Sequence, residues 1–124
     1  MEERILTSTK KILGIAEAYT AFDLDIMVHI NSAFSVLCQL GVGPAEGFAI
    51  EDDTAVWNDF IGETQGIIMV KSYVFLKVRM LFDPPSTSFH ITAMEQQIKE
   101  YEWRLNTQRE WNRDPNDPMS LEEV

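Results

Sequence analysis

The spacing of apolar and polar residues along the chain predicts a mainly helical protein. In the clearest segment, from Ile26 to Leu40, apolar residues recur at steps of four and three, which is the period of a helix with one buried face. Asp23 before this run is typical of an N-cap, and Gly41 after it is typical of a helix end. The pattern predicts four helices, over residues 2–13, 23–40, 67–82 and 88–108.

The third predicted helix, residues 67–82, is the most apolar element and is expected at the centre of the bundle. Its only charged side chains are Lys71, Lys77 and Arg79, a local excess of positive charge. A double proline after it ends the helix, because proline disfavours helical geometry at the residue before it. The fourth helix is expected to have a narrow apolar seam and a solvated back.

Residues 41–66 differ in composition from the predicted helices. They hold five of the six glycines and six acids, and they contain no lysine or arginine. Phe48 and Ile50 alternate around an alanine, and residues 54–57 can run back along them, which predicts a short β-hairpin. An irregular acidic loop is the alternative. One helical turn is expected from Trp57 to Ile61.

These elements define a mainly α fold class, a small bundle of about four helices with a short β-hairpin or irregular acidic loop and a flexible C-terminal tail. Residues 1–110 are expected to form a single helical domain, a size that can bury one core. The helical pattern then stops, and residues 111–124 are expected to be a flexible acidic tail. We expect residues 44–63 and this tail to become ordered on assembly, because neither has a core of its own.

The composition narrows the possible partners. The chain of 124 residues has 20 acidic and 10 basic side chains, a formal net charge of −10, so its surface as a whole repels phosphate backbones and anionic membranes. No apolar stretch is long enough to cross a bilayer, and the first residues lack the pattern of a secretory signal. We therefore expect a protein made in the cytoplasm, without a membrane partner. The single cysteine, Cys38, lies in an apolar run and is expected to be buried.

Candidate catalytic and metal-binding residues are few. His29 and His90 give no zinc-like spacing. The acids from Glu51 to Glu63 lack the pattern of an EF-hand calcium loop, and neither a glycine-rich phosphate loop nor a nucleophile elbow occurs. We expect no enzyme activity, no cofactor and no metal. The weakest alternative is a metal-dependent enzyme with ligands from Asp52, Asp53 and Asp59.

Aromatic and basic residues outside the apolar seams point to protein contacts, because a tryptophan at a surface is often an interface anchor. The alternative explanation is that Trp57 and Phe60 close the core and Trp103 packs on the first helix. The basic residues of the third helix can meet an acidic neighbour or project into solvent. The candidate interface residues are Trp57, Phe60, Lys71, Lys77, Arg79, Trp103, Trp111 and Arg113.

Several longer strings carry a family resemblance. They are KSYVFLKVRMLFDPP at residues 71–85, SF at 88–89 and EYEWRLN at 100–106, with WNDFIG at 57–62 and TKKILG at 9–14. This combination resembles the head-to-tail connector (adaptor) proteins of long-tailed bacteriophages. The resemblance implies a structural virion protein of the neck that forms a dodecameric ring beneath the portal protein, extends the DNA channel and docks the next adaptor, stopper or tail component.

The resemblance also suggests roles for the charged regions. The tail at residues 111–124 would face the portal with Trp111 as anchor, and acids around the lumen would let genomic DNA pass without specific binding. A hypothesis of another class is an acidic inhibitor or nucleic-acid mimic, which would bind a basic protein through the tail and residues 46–63. Such an inhibitor would be a monomer or dimer, so oligomeric state separates the two hypotheses.

Overall fold

The computed structural model describes residues 3–44, 46–60 and 67–111, and this part of the chain is mainly helical, as predicted. The four predicted helices are confirmed, and the single turn starting at Trp57 is confirmed as far as Phe60. Ile61 and residues 112–124 of the predicted tail lie outside the described residues. The helices are α1 (Ile5–Leu13), α2 (Asp23–Gln39), α3 (Trp57–Phe60), α4 (Ile67–Phe82) and α5 (Ser88–Trp111).

The central element is α4, as its apolar sequence predicts. Both α2 and α5 pack on α4, and α1 lies against α2 and α4. The apolar spacing of residues 67, 70, 74 and 81 predicts one buried stripe along α4. Val78 is fully buried, whereas Leu81 of that stripe is 45% exposed in the last turn. The buried part of α4 therefore ends at Val78, about one turn before the helix ends at Phe82. Its buried side chains are Val70, Tyr73, Val74 and Val78.

The first helix buries three polar side chains, Ser8, Thr9 and Lys10, while its apolar Ile12 is half exposed. The two hydroxyls are satisfied within the helix, because Ser8 Oγ and Thr9 Oγ1 each donate to the carbonyl four residues earlier, at 2.7 and 2.8 Å. A buried hydroxyl with such a partner avoids most of the desolvation cost. Hydrophobic spacing alone therefore does not identify the inner face of α1.

Lys10 connects α1 to the start of α2 through two hydrogen bonds and an ion pair. Its ammonium donates to the backbone carbonyls of Glu17 and Tyr19, at 2.9 and 2.7 Å, and lies 2.8 Å from Asp23 Oδ1. Because Lys10 is only 2% exposed, these oxygens replace water around the charge. The prediction of Asp23 as N-cap was wrong. Phe22 holds that position, and Asp23 is the first helical residue, with its carboxylate directed to Lys10.

The predicted β-hairpin was wrong, and the irregular alternative describes this segment, since the described residues contain no strand pair. The backbone of Ile50 bonds to a side chain instead, donating to Asn31 Oδ1 at 2.7 Å and accepting from Asn31 Nδ2 at 3.1 Å. Residues 55–57 pair with the start of the chain, where Ile5 N–H donates to Ala55 O at 2.9 Å. One isolated bridge, between residues 4 and 56, forms there.

Tyr73 joins α4 to α5. Its side chain is fully buried, and its hydroxyl donates to Glu102 Oε2 at 2.7 Å. Burial, together with the hydrogen bond to Glu102 and the charge of that carboxylate, raises the pKa of Tyr73 well above its ordinary value. The long outer helix is thus attached to the core by a polar contact as well as by the buried side chains of Ile98 and Leu105.

Replacing Lys10 tests its role as the connection between α1 and α2. Lys10→Met leaves the Asp23 carboxylate without its ion-pair partner and two carbonyls without their donor, so we expect the free energy of unfolding to fall by about 3 kcal/mol. Urea denaturation followed by circular dichroism measures the change. The matched control is Lys11→Met at an exposed lysine, which should cost less than about 0.5 kcal/mol. Equal losses in the two variants would contradict the role given to Lys10.

The raised pKa of Tyr73 predicts a loss of stability at alkaline pH. The folded state holds the phenolic proton more tightly than the unfolded chain, so this stabilisation is fully present below about pH 10 and is lost as the pH rises further. Above about pH 10 the free energy of unfolding should fall more steeply in the wild type than in Tyr73→Phe. Urea denaturation across this range measures both slopes. Tyr19→Phe, at a half-exposed tyrosine, should follow the wild type, and parallel curves for wild type and Tyr73→Phe would refute the prediction.

Candidate functional site

Two of the predicted interface residues, Trp57 and Phe60, lie in an aromatic cluster with Phe34 and Phe48. Phe34 of α2 is at its centre, with ring centroids 4.4 Å from Phe60, 5.1 Å from Phe48 and 6.0 Å from Trp57. Trp57 and Phe60 are each 2% exposed. They therefore close the core, as the alternative explanation for them proposes, and neither ring belongs to the surface of the subunit.

Trp57 also attaches α3 to two other helices. Its Nε1 donates to the buried Ser8 Oγ of α1 at 2.9 Å, and its ring meets Phe75 of α4 at a centroid distance of 5.7 Å. The ammonium of Lys71 lies 5.9 Å from the centre of the same ring. The sequence makes Trp57 a candidate interface residue. Within the described residues, its contacts are those of a structural anchor.

Gly43 allows Phe60 to enter the aromatic cluster. A Cβ atom at Gly43 would lie 2.5 Å from two ring atoms of Phe60, and the backbone there has a φ of +89°, which residues with a side chain rarely adopt. Gly47 has a similar φ of +95°, but a Cβ atom there would have no other atom within 4 Å. The two glycines therefore differ: Gly43 permits a close approach, and Gly47 permits a turn.

Residues 46–59 are called the acidic segment here. Their acidic side chains face solvent outside the aromatic cluster. Thr54 donates to Asp52 Oδ1 from its hydroxyl at 2.6 Å and from its N–H at 2.9 Å, which lowers the pKa of Asp52 below its ordinary value. Asp59 Oδ2 accepts from Val56 N–H at 2.9 Å, just before α3. Local turns thus hold two of the charges in place. The exposed acids are Glu46, Glu51, Asp52, Asp53 and Asp59.

This acidic segment is packed more firmly than its composition indicates. Ile50, Trp57 and Phe60 are buried, so residues 46–60 lie on the helices within a single subunit. The expectation that residues 44–63 become ordered only on assembly therefore does not hold for this part. Residues 61–66, which include Glu63, lie outside the described residues.

The chemistry of the described residues gives no support to a metal-dependent enzyme. Among residues 3–44, 46–60 and 67–111, no group of three His, Cys, Asp or Glu side chains could hold a metal ion. His90 Nδ1 lies 2.6 Å from Thr87 Oγ1 at the start of α5, and His29 is half-buried beside Phe82. Cys38 is half-buried and not fully buried as expected. Partial burial raises the pKa of its thiol, which disfavours the nucleophilic thiolate.

The three basic residues of α4 lie in different environments. Lys71 forms an ion pair with Glu3 at 2.7 Å and so helps to hold the start of the chain on α4. Lys77 is half-buried, and Arg79 is exposed. Lys71 is therefore engaged inside the subunit, whereas Arg79 presents its charge to solvent. That these cations meet an acidic neighbour stays a prediction.

Large exposed apolar side chains are found on the two outer helices. Trp103 is 67% exposed on α5, so the alternative explanation that it packs on the first helix was wrong. Phe89 on α5 is 77% exposed, and Leu24 and Val28 on α2 are 71% and 54% exposed. The sequence analysis missed these three. For Val28 a signal was present, since residues 26–45 contain no aspartate, glutamate, lysine or arginine in a protein of net charge −10. Leu24 lies between two aspartates, and Phe89 lies outside this run.

The two remaining interface candidates lie at the C-terminal end. Trp111 is the last residue of α5, and Arg113 lies outside the described residues. Their contact with a partner stays a prediction.

An acidic segment and large exposed apolar side chains on the outer helices are features typical of proteins that bind other proteins. Residues 5–112 match the family model described as phage connector protein, and the chain belongs to this family. The resemblance of its sequence motifs to phage connectors is therefore confirmed. No curated protein and no solved structure matches the chain. None of the helices in the described ranges is long and apolar enough to span a membrane.

A comparison of Gly43→Ala with Gly47→Ala separates the energetic cost of a steric clash from the cost of a strained backbone. Both positions have positive φ, so each substitution should cost about 1 kcal/mol from the backbone alone. At Gly43 the new methyl group also meets the ring of Phe60, which should add about 1–3 kcal/mol. Urea denaturation should therefore give Gly43→Ala a lower free energy of unfolding than Gly47→Ala. Equal values would contradict the close packing of Phe60 on Gly43.

Proposed function

We propose that this protein is a head-to-tail connector, or adaptor, in the neck of a long-tailed phage virion. In this role it forms a dodecameric ring beneath the portal protein, extends the DNA channel and docks the next adaptor, stopper or tail component. The observation that carries the proposal is the family match over residues 5–112, which includes all five helices of the described residues. The role is structural and needs no catalytic group.

The mechanism is multivalent docking. Each subunit offers only a small surface, so a single contact between two subunits is weak. Closing a ring adds a second contact for every subunit, and docking of the whole ring presents many contacts to the portal at once. The neck is therefore durable because its contacts are cooperative, even though each one is modest.

The acidic segment supports passage of DNA without binding. Its five acids are exposed, and the segment contains no basic residue to attract phosphate. Carboxylates that face a channel repel the DNA backbone, so the genome slides past them. The same exposed acids would also suit an inhibitor that mimics nucleic acid, and this is why the oligomeric state matters.

The C-terminal end of α5 is the proposed portal-binding region. Trp111 ends this helix, and residues 112–124 follow it with an excess of acids. A large aromatic residue at such a junction is suited to act as an anchor in a pocket of the portal. Arg113 lies beside it in the sequence and is proposed to contribute to the same contact, while Lys77 and Arg79 of α4 are proposed to meet acids of a neighbouring subunit.

Light scattering and negative-stain microscopy, with and without the portal protein, test this function. We expect a closed ring stacked on the portal in the micrographs. Trp111→Ala should weaken portal binding about tenfold or more, the loss typical of an anchor residue. Tyr19→Ala is the control, because it removes an exposed aromatic side chain from the loop between α1 and α2. A strict monomer without affinity for the portal would refute the proposal, and a monomer or dimer that binds a basic protein would favour the inhibitor.

A further inference from the structure

The central helix α4 has one outward stripe that the other described helices leave largely uncovered. Its residues recur at steps of four, three and four positions, so they lie along one side of the helix. Ile68 at its start is 77% exposed, and Arg79 at its end is also exposed. The two residues between them are half-buried. This stripe, called the outer stripe, consists of Ile68, Ser72, Phe75 and Arg79.

The cation of Arg79 has no acidic partner in the described part of the chain. Lys71 of the same helix pairs with Glu3, but Arg79, about two turns further along, forms no ion pair with residues 3–44, 46–60 or 67–111. The outer stripe thus begins with an uncovered apolar side chain and ends with an unpaired cation. Such a surface is complementary to an extended segment in which apolar residues precede an acid.

The chain continues beyond α5 beside the start of this stripe. The short turn between the two helices makes α5 antiparallel to α4, and Tyr73 bonds to Glu102 where they pack. Trp111 lies nine residues after Glu102, and Ile68 lies five residues before Tyr73. The end of α5 is therefore only about 6 Å beyond the level of Ile68 along the helix axis.

Residues 112–124 contain a pattern that matches the outer stripe. Met119, Leu121 and Glu123 occupy alternate positions, so in an extended chain they lie on one side and span about 13 Å. The outer stripe is about 17 Å long from Ile68 to Arg79. The order is also the same, because two apolar side chains precede the acid in the sequence and the apolar part of the stripe precedes its cation.

The length of the intervening chain is sufficient. Eight residues separate Trp111 from Met119 and can span up to about 26 Å. The distance to be covered is shorter, about 6 Å along the axis to Ile68 and about 10 Å across to the neighbouring helix. Pro115 and Pro118 disfavour a helical continuation of α5, which allows the chain to turn back.

We propose that, in the free subunit, residues 112–124 lie along the outer stripe of their own α4. The side chains of Met119 and Leu121 cover the apolar part of the stripe. The carboxylate of Glu123 pairs with Arg79. Because segment and stripe belong to one chain, the segment is at a high effective concentration, and a few modest contacts are enough to hold it.

The contact withholds two groups that assembly needs, and this consequence rests on the proposed function. The portal-binding segment is kept on its own subunit, and Arg79, which is proposed to meet an acid of a neighbouring subunit, is already paired. Docking of the segment in the portal frees Arg79 for that neighbour, so rings form on the portal and not in solution. The proposal replaces the expectation that residues 111–124 become ordered only on assembly.

Disulfide formation in the chain of 124 residues tests the contact. In a Cys38→Ala background, Met119→Cys with Ser72→Cys should form an intramolecular disulfide about ten times faster than Met119→Cys with Ser35→Cys. Ser35, on α2, is the more exposed of the two serines, so accessibility alone favours the control. Non-reducing electrophoresis of dilute protein measures both rates. Equal rates would overturn the contact, and covalent dimers in place of cross-linked monomers would assign the stripe to a second copy instead.

A charge exchange provides an independent arm. Arg79→Glu should slow the cross-link at Ser72 about threefold, the effect of losing one exposed ion pair, and Glu123→Arg in the same chain should restore it. Lys11→Glu makes the same charge change at an exposed lysine of α1 and should leave the rate unchanged. Equal slowing by Lys11→Glu, or no restoration by Glu123→Arg, would contradict the pairing with Arg79.

The portal protein tests the withholding role. The oxidised Met119→Cys, Ser72→Cys chain should bind the portal about tenfold more weakly than the same chain after reduction. Oxidation of the single variant Ser72→Cys should change nothing. Equal binding of the oxidised and reduced chains would overturn the withholding role. If neither the reduced chain nor the wild type binds the portal, the connector function is refuted, whereas the cross-linking rates still decide the contact with α4.

Discussion

The packing of Phe34 against three rings from an irregular segment is the contact on which much of this fold depends. A segment without its own strand ladder must offset the entropy of ordering and satisfy its backbone groups in other ways. Here the rings at positions 48, 57 and 60 supply the buried area. Asn31, one turn before Phe34, bonds both backbone groups of Ile50. Helix α2 therefore acts as the template on which residues 46–60 fold.

The helices could be predicted from the sequence because their apolar period repeats over several turns, as it does along α2 and α4. The partner of residues 55–57 could not be predicted in this way. Phe48 and Ile50 do face the core, and their alternation is real. The carbonyl of Ala55, however, accepts from the N–H of Ile5, which is 50 residues earlier in the sequence. A local period gives the direction of side chains and contains no information about which distant segment will pair.

Which tryptophans lie at the surface could not be predicted from the sequence either. The residue type marks Trp57 and Trp103 alike, yet one is buried and the other is exposed. What separates them is the tertiary surroundings, since Trp57 finds a hydrogen-bond acceptor in Ser8 and ring partners on two helices. Val28 and Leu24 show the limit again, because both are exposed although their residue types are typical of a core.

The buried ammonium of Lys10 also lets chemical labelling detect the opening of one end of the molecule. Acylating reagents need access to a lysine nitrogen, and in the folded subunit Lys10 Nζ is enclosed by three protein oxygens while its sequence neighbour Lys11 is exposed. A succinimidyl ester can therefore modify Lys11 in the folded and unfolded chain, but Lys10 only after residues 14–22 move away from α1. The ratio of labels on two adjacent lysines, read on one peptide, then reports how often this end of the bundle opens.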